Sequence, residues 1–288
     1  MTEKTSPIAD SSVRAITDDG AFRVIVARTT DTAREIARLQ KAHGEDARNL
    51  GDLVTATVLF RETMAPDLRV QGIVRGADGK GTLVADSAPE GRTRGLLQAH
   101  HGAPVIVAGD AKLQMIRSLP NGAINQGVVE VGEGGGITRG VMTYMKESEQ
   151  VDTMLAVGTV LDEAGNVVAA GGYLVQLLPE VGRAPLAVMA ERLEDFRTIE
   201  HLLRPDFTPE WLRDELLWGM PFTELDKSGI SSACWCSEER LLAALATLDR
   251  NEIQDMIEDG APLEIACDYC TKQYNIQPNK LLGLLASS

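Results

Sequence analysis

Four cysteines in two close pairs constrain this chain more than any other feature. They form Cys234-Trp235-Cys236 and Cys267-Asp268-Tyr269-Cys270, and the sequence contains no other cysteine. Two close pairs with this separation are typical of a tetrahedral thiolate site supplied by two knuckles, and the first interpretation is a Zn²⁺ site. The two cysteines of each pair are also close enough to form a disulfide. The same four sulfurs can therefore hold a metal or form two bridges, but not both.

Composition narrows the class of protein. With 288 residues, 44% of them hydrophobic, the chain can form one large domain and one or two small ones. The formal net charge of -14 argues against a nucleic acid as the main partner, because lysine and arginine supply most of that affinity. No run approaches the roughly 18 to 20 apolar residues of a membrane span. The chain is therefore expected to be a globular protein outside the membrane.

The first residues bear on the compartment. Residues 1–7 contain no apolar run after the first charge, so we expect no export signal. The expected location is the cytoplasm, where thiols are kept reduced. This favours a metal over structural disulfides in the resting protein.

Residues 1–178 predict an N-terminal α/β domain. Residues 21–29 read as a strand, and two helical patterns follow, at residues 30–44 and 49–60. Short strand signals separated by glycines favour a largely antiparallel sheet. They occupy residues 68–74, 82–86, 105–107, 113–117 and 128–131. A third helix at 137–149 precedes a hairpin whose strands are residues 154–161 and 167–178.

Residues 179–229 predict a helical linker. Apolar residues recur every three or four positions from Met189 to Leu203, which predicts one amphipathic helix ended by Pro205. Thr208 as the N-cap, with Pro209 at the first helical position, predicts a second helix. Isolated helices of this length are marginal, so the linker should be metastable and depend on docking elsewhere. A plain connector between two domains is the alternative.

Residues 230–288 predict a small C-terminal zinc-binding domain. Ser237 can cap a helix directly after the first cysteine pair, and Asp249 with Glu252 resembles a capping box for a second helix. A strand at residues 263–266 leads into the second pair, and leucines near the end indicate a last helix. So short a unit cannot build much core, and its fold should depend on the metal. The predicted fold class is α+β.

Other candidate chemistry is weaker. The glycine run at residues 132–136 lacks the third glycine of a dinucleotide fingerprint and favours a flexible turn. His100 and His101 are adjacent, and no carboxylate or cysteine nearby completes a metal set. His43 and His201 are isolated. No serine-histidine-acid pattern or P-loop is present. We therefore expect a protein that is not an enzyme.

The segment Cys-Trp-Cys-Ser-Glu-Glu-Arg at residues 234–240, the spacer, and Cys-Asp-Tyr-Cys followed by Tyr274 form one pattern. In this pattern the chain resembles a known family, the redox-regulated heat-shock chaperones called 33 kDa chaperonins. Further matching segments lie at residues 126–129, 144–150 and 169–176. The resemblance covers nearly the whole chain, and the cysteine spacing is specific.

The resemblance implies an ATP-independent holdase with three parts: an N-terminal domain, a metastable linker and a zinc domain. In the reduced state all four cysteines would bind zinc as thiolates. Oxidation would join Cys234 to Cys236 and Cys267 to Cys270, with loss of zinc and unfolding of the linker. The partners implied are unfolding client proteins, and a homodimer is expected on activation.

Two other functions stay open at this point. The second cysteine pair could serve a thiol oxidoreductase, which would want a thioredoxin-like βαβ context before the motif. Alternatively, the zinc site could be purely structural, in a zinc-ribbon interaction module.

Overall fold

A computed structural model describes residues 8–100, 102–178 and 184–286 of the chain. By its internal contacts the chain divides into two compact units, Met1–Ala233 and Cys234–Ser288. Each unit is described by itself below. No helix in the described ranges is long and apolar enough to cross a membrane.

The first unit contains two sheets, and the predicted α+β class with a mainly antiparallel sheet is confirmed. Its strands are β1 (Ser11–Thr17), β2 (Phe22–Arg28), β3 (Val70–Arg75), β4 (Thr82–Ser87), β5 (Arg92–Gln98), β6 (Gly109–Ser118), β7 (Ile124–Gly132), β8 (Thr153–Leu161), β9 (Val167–Leu177), β10 (Phe222–Gly229) and β11 (Ser231–Ser232). One sheet has the order β10-β1-β2-β9-β8, and the other has the order β11-β5-β4-β3-β6-β7. All of these pairings are antiparallel except the short parallel pairing of β11 with β5.

Three helices pack on these sheets: α1 (Thr30–Gln40), α2 (Glu45–Arg61) and α3 (Gly136–Glu147). Nearly every residue of α2 from Leu50 onward is buried, and α2 contacts strands of both sheets. A helix that is apolar on all sides is stable only when it is surrounded, so α2 forms the centre of the main hydrophobic cluster.

The five-stranded sheet is buried on both faces. Side chains alternate along a strand, so Ile25 and Ala27 of β2 join the cluster around α2, whereas Val24 and Val26 join a second cluster. This arrangement explains why β2 reads as a continuous apolar run and was readily predicted as a strand.

The segment after residue 183 covers the second face of that sheet. It contains α4 (Ala184–Arg192), two 3₁₀ turns (Leu193–Phe196 and Ile199–His201) and α5 (Pro209–Leu216). Eight of its apolar side chains are buried in the second cluster: Met189, Leu193, Ile199, Leu203, Phe207, Leu212, Leu216 and Leu217. The predicted linker therefore lies within the first unit, packed on the sheet.

Predictions for the segment are partly confirmed. Thr208 caps α5 through a hydrogen bond that its hydroxyl accepts from the Trp211 amide, at 3.2 Å, as expected. The prediction of a single long helix was wrong, because the α-helix ends at Arg192 and the chain continues only as 3₁₀ turns. The last part of the predicted linker, residues 222–229, is not helical and forms the edge strand β10.

Two strands show where local signals fail. Most of β10 is exposed, so it has no apolar face that a sequence pattern could reveal. The strand predicted at residues 105–107 is absent. The backbone of Val105 instead receives side-chain hydrogen bonds from α2: its amide donates to Asp46 Oδ1 at 2.8 Å, and its carbonyl accepts from Asn49 Nδ2 at 3.2 Å.

One enclosed carboxylate in α2 should make stability depend on pH. Asp52 Oδ1 is fully enclosed and has no hydrogen-bond partner among the described residues, although the residue as a whole is only half-buried. Burial raises the pKa of the Asp52 carboxyl from 3.8 to about 8. The Thr159 side chain lowers this pKa in part, and the nearby Glu200 carboxylate raises it further.

The change Asp52→Asn should therefore matter most near neutral pH. Between pH 4 and 8 the folded protein keeps a proton that the unfolded chain releases, so the parent loses stability as pH rises. The variant has no carboxyl at this position and does not lose stability in this way. Its unfolding free energy should therefore exceed that of the parent by an amount that grows over that range and levels off above about pH 8. Urea unfolding at several pH values measures it. The exposed Glu163→Gln is the charge control, and an advantage independent of pH would contradict the assignment.

The second unit is small. It contains α6 (Glu238–Leu245), α7 (Arg250–Glu258), β12 (Leu263–Ala266), β13 (Gln273–Ile276) and α8 (Pro278–Ala286). Both predicted caps are confirmed: Ser237 Oγ accepts from the Arg240 amide, and Glu252 accepts from the Asp249 amide. Its hydrophobic cluster has three fully buried members, Ile253, Ile276 and Leu281.

Candidate metal centre

The first cysteine pair lies directly before a helix. Cys234 and Cys236 are half-buried in an irregular segment, and Ser237 begins α6 immediately afterwards. The Ser237 hydroxyl caps that helix, at 3.3 Å from the Arg240 amide nitrogen. The cap holds the direction of the chain just after Cys236.

The second pair lies in the turn that joins β12 to β13. The two strands pair antiparallel from Leu263 with Ile276 to Ala266 with Gln273. The turn is closed by the Cys267 amide, which donates to the Lys272 carbonyl at 2.9 Å, and by the Thr271 amide, which donates to the Cys267 carbonyl at 2.8 Å. Thr271 has a φ of 59°, a left-handed conformation that only the tight turn explains. This is a knuckle, as the spacing predicted.

The structure brings the four thiols together. Their Sγ atoms all lie within 4.8 Å of one another, and none forms a disulfide. Cys234 Sγ lies 3.8 Å from Cys267 Sγ, and Cys236 Sγ lies 3.4 Å from Cys270 Sγ. A tetrahedron with metal–sulfur bonds of about 2.3 Å has sulfur–sulfur edges of about 3.8 Å. The cluster can therefore hold a metal ion without rearrangement of its elements.

A tyrosine hydroxyl completes the surroundings of the cluster. Tyr274 Oη donates to Cys236 Sγ at 3.1 Å. Burial raises the pKa of the thiols of Cys267 and Cys270, the latter to about 12. For Cys236, hydrogen bonds from Tyr274 and the neighbouring thiols outweigh burial and lower the pKa to about 7. The Cys236 thiol therefore becomes a thiolate more readily than the thiols of Cys267 and Cys270.

Sequence reasoning identified the cysteines but missed what Tyr274 does. The sequence showed Tyr274 only as a residue that follows the second pair. Tyr274 pairs with Ile265 across the hairpin, and it alternates with Ile276 as a buried position of β13. That alternation was the available signal, although it does not reveal the contact with Cys236.

The weaker candidates do not join the cluster. Among the described residues, no other group of histidine, cysteine or acidic side chains lies close enough to hold a metal. His201 Nδ1 contacts the Thr198 carbonyl, and His100 lies in an isolated bridge with Ala103. His101 lies outside the described residues.

Comparisons with known proteins agree with this arrangement. The family model described as Hsp33 protein matches residues 10–277. The 33 kDa chaperonin of Syntrophotalea carbinolica is 28% identical over 96% of this chain and 99% of its own length. The 33 kDa chaperonin of Bacillus subtilis is also 28% identical, over 96% and 98%. That of Symbiobacterium thermophilum is 30% identical, over 96% and 97%.

A solved structure shares the fold. The crystal structure of the 33 kDa chaperonin (heat shock protein 33 homolog) from Thermotoga maritima superimposes with a TM-score of 0.80 at 21% identity. The match covers 97% of this chain and 99% of that protein. The relatives are named as chaperonins rather than as enzymes, and the four clustered cysteines fit a redox-regulated chaperone. Because the family model matches nearly the whole sequence, the chain belongs to the Hsp33 family.

Proposed function

We propose that the protein is a redox-regulated, ATP-independent holdase that binds unfolding proteins during oxidative stress. The observation that carries the proposal is the four-thiol cluster within a unit in which, among the described side chains, only three apolar ones are fully buried in the hydrophobic cluster. The fold of that unit should depend on what the sulfurs bind. The whole protein is inactive as a chaperone in the reduced state and active after oxidation.

In the reduced state, Cys234, Cys236, Cys267 and Cys270 are the proposed ligands of one Zn²⁺. Four soft thiolates in a closed tetrahedral set suit zinc, and no open position is left for catalysis. When bound, a structural zinc ion supplies about 10 to 16 kcal/mol of apparent binding free energy, which is in effect folding free energy. The cysteines bind the ion only as thiolates, so this folding free energy depends on their staying in the thiolate form.

Oxidation removes the ligand set. In the proposed step, Cys234 joins Cys236 and Cys267 joins Cys270. Each new sulfur–sulfur bond forms from two thiolates that lose two electrons to one hydrogen peroxide, which is reduced to two hydroxide ions, by way of a sulfenic acid. Two peroxides therefore oxidise the site. The second unit then lacks the energy that folded it.

The linker is the proposed responding element. Its helices α4 and α5 have nine and eight residues, lengths at which helices are marginal without packing. We propose that residues 1–178, 179–229 and 230–288 act as N-terminal domain, linker and redox switch. Undocking of the linker would expose both its own buried side chains and the sheet face beneath, including Val24, Val26 and Tyr173. A patch of that kind binds unfolded protein.

The proposed partners are client proteins and a second copy of the chain, and the proposed compartment is the cytoplasm. Clients are unfolded or partly unfolded proteins, and the activated protein forms a homodimer in the cytoplasm. The net charge of -14 supports a holdase, because it keeps a protein with an exposed apolar surface in solution.

Light scattering from a chemically unfolded, aggregating client tests the proposal. The client is mixed, without ATP, with either the reduced zinc-loaded protein or the same protein after peroxide treatment at raised temperature. Suppression by the oxidised form alone, with release of one zinc per chain, is the expected result. Peroxide quenched with catalase before addition is the control.

Other outcomes would contradict it. Equal scattering with both forms would leave zinc as a structural element of an interaction module. Catalytic turnover of a dithiol substrate would favour an oxidoreductase. The position of Cys267 and Cys270 in the turn of a β-hairpin argues against that outcome, because a thioredoxin-like redox pair is expected in a βαβ context.

A further inference from the structure

A cleft of about 430 Å³ lies in the first unit, between the linker segment and the start of α3. It is lined from one side by Ala190, Leu193 and Arg197 of the segment that follows residue 183. The other side comes from α3, β8 and β9. The volume is within the range of about 300 to 1,000 Å³ that is usual for small-molecule sites.

Most of the lining is apolar. Met142 packs against the cluster around α2, whereas Met154 and Tyr173 belong to the second cluster, so the cleft lies where the two clusters meet. Two of these three side chains are methionines, which adapt their shape to a guest. The cleft therefore suits an aliphatic chain.

The charged lining residues are cationic. Arg139 and Arg197 both line the cleft, and no acidic side chain does. In the described part of the chain, Arg139 has no acidic partner within 4.0 Å, and it donates only to the Glu133 carbonyl, at 3.0 Å. Arg197 is paired with Glu194 at 2.6 Å. In a chain with net charge -14, an uncompensated arginine beside an apolar cleft is complementary to an anion.

We propose that this cleft binds a small anionic amphiphile, a free carboxylate on an unbranched aliphatic chain. Arg139 is the main anchor of the carboxylate, Arg197 adds to it, and the methionines with Leu193 enclose the chain.

Such a ligand would bind only the docked linker, since both sides of the cleft contribute to the site. Binding would then stabilise docking, and a ligand at 100 times its Kd would lower the undocked population about a hundredfold. This effect rests on the proposed function. The ligand would inhibit activation, so more oxidant would be needed to trigger the switch.

Calorimetric titration of the reduced, zinc-loaded protein tests the binding. The probes are hexanoate, octanoate and decanoate below their micelle concentrations, with octanol and octylamine as the neutral and cationic counterparts. Affinity should rise about fourfold for each added methylene, as expected for apolar burial. Octanoate should bind more tightly than octanol, and octylamine should bind least.

Variants locate the site. Arg139→Gln should weaken octanoate binding about fivefold, and Arg197→Gln about twofold because Glu194 already shares its charge. Arg38→Gln is the matched control, since Arg38 forms the same kind of exposed pair with Glu35 and should bind normally. Ala190→Phe should fill the cleft and abolish binding. Ala187→Phe, at an exposed position of the same helix, should not.

Binding of octylamine as tight as that of octanoate, or an unchanged affinity in Arg139→Gln, would overturn the proposal. These titrations use only the reduced protein and do not depend on chaperone activity, so they would stand even if the redox switch failed. The effect on docking is read separately. Octanoate should slow tryptic cleavage between residues 184 and 216 in the parent protein and not in Arg139→Gln.

Discussion

The change Cys267→Ser is expected to unfold residues 234–288 while the first unit keeps its fold. Cys267 is the most buried of the four cysteines, and its backbone closes the knuckle between β12 and β13. Removing one thiolate opens the tetrahedral set and sacrifices much of the roughly 10 to 16 kcal/mol that structural zinc supplies. A cluster with three fully buried side chains does not replace that energy.

Zinc content and amide nuclear magnetic resonance spectra measure this effect. Resonances of α6, α7 and α8 should collapse to random-coil positions, and those of the two large sheets should stay dispersed. Asp268→Ser is the matched control, because it changes an exposed residue of the same knuckle and keeps all four sulfurs. A folded C-terminal unit in Cys267→Ser, with no bound zinc, would show that metal is dispensable for this fold.

The change Leu212→Ala is expected to make the reduced protein bind clients. Leu212 of α5 is completely buried in the cluster between the linker and the five-stranded sheet. Truncating a buried leucine to alanine costs about 2 to 5 kcal/mol, which would raise the undocked population of the linker about thirtyfold or more. The cost falls on docking because α5 is too short to be stable alone.

The measurement is client light scattering under reducing conditions, together with fluorescence of a dye that binds apolar surfaces. Leu225→Ala is the matched control, since it removes the same atoms from a leucine that is 53% exposed in β10. The control should behave like the parent. If Leu212→Ala lowers the melting temperature and yet the reduced protein stays inactive, the linker does not gate client binding.

Several elements could be predicted because their signals are local. The N-caps Thr208 and Ser237 and the capping box at Asp249 each depend on residues within one helical turn, and the structure confirms them. The hairpin of β8 and β9 was found because its strands flank a short polar turn.

Other elements were missed because their partners are distant in sequence. The edge strand β10 forms only because β1, about two hundred residues earlier, offers it a backbone ladder. Likewise, the backbone of Val105 is held by two side chains of α2 and not by a neighbouring strand.

The sequence by itself determined the cysteine cluster, the fold class and the family resemblance, since residue type and spacing are sufficient for each of them. Only the tertiary structure decided which sheet face the linker covers, where β10 pairs, how Tyr274 reaches Cys236, and which side chains form the cleft beside α3. The physical reason is that each of these depends on contacts between segments that are far apart in the chain. Such contacts follow from the packing of the whole unit, and a local sequence pattern does not predict them.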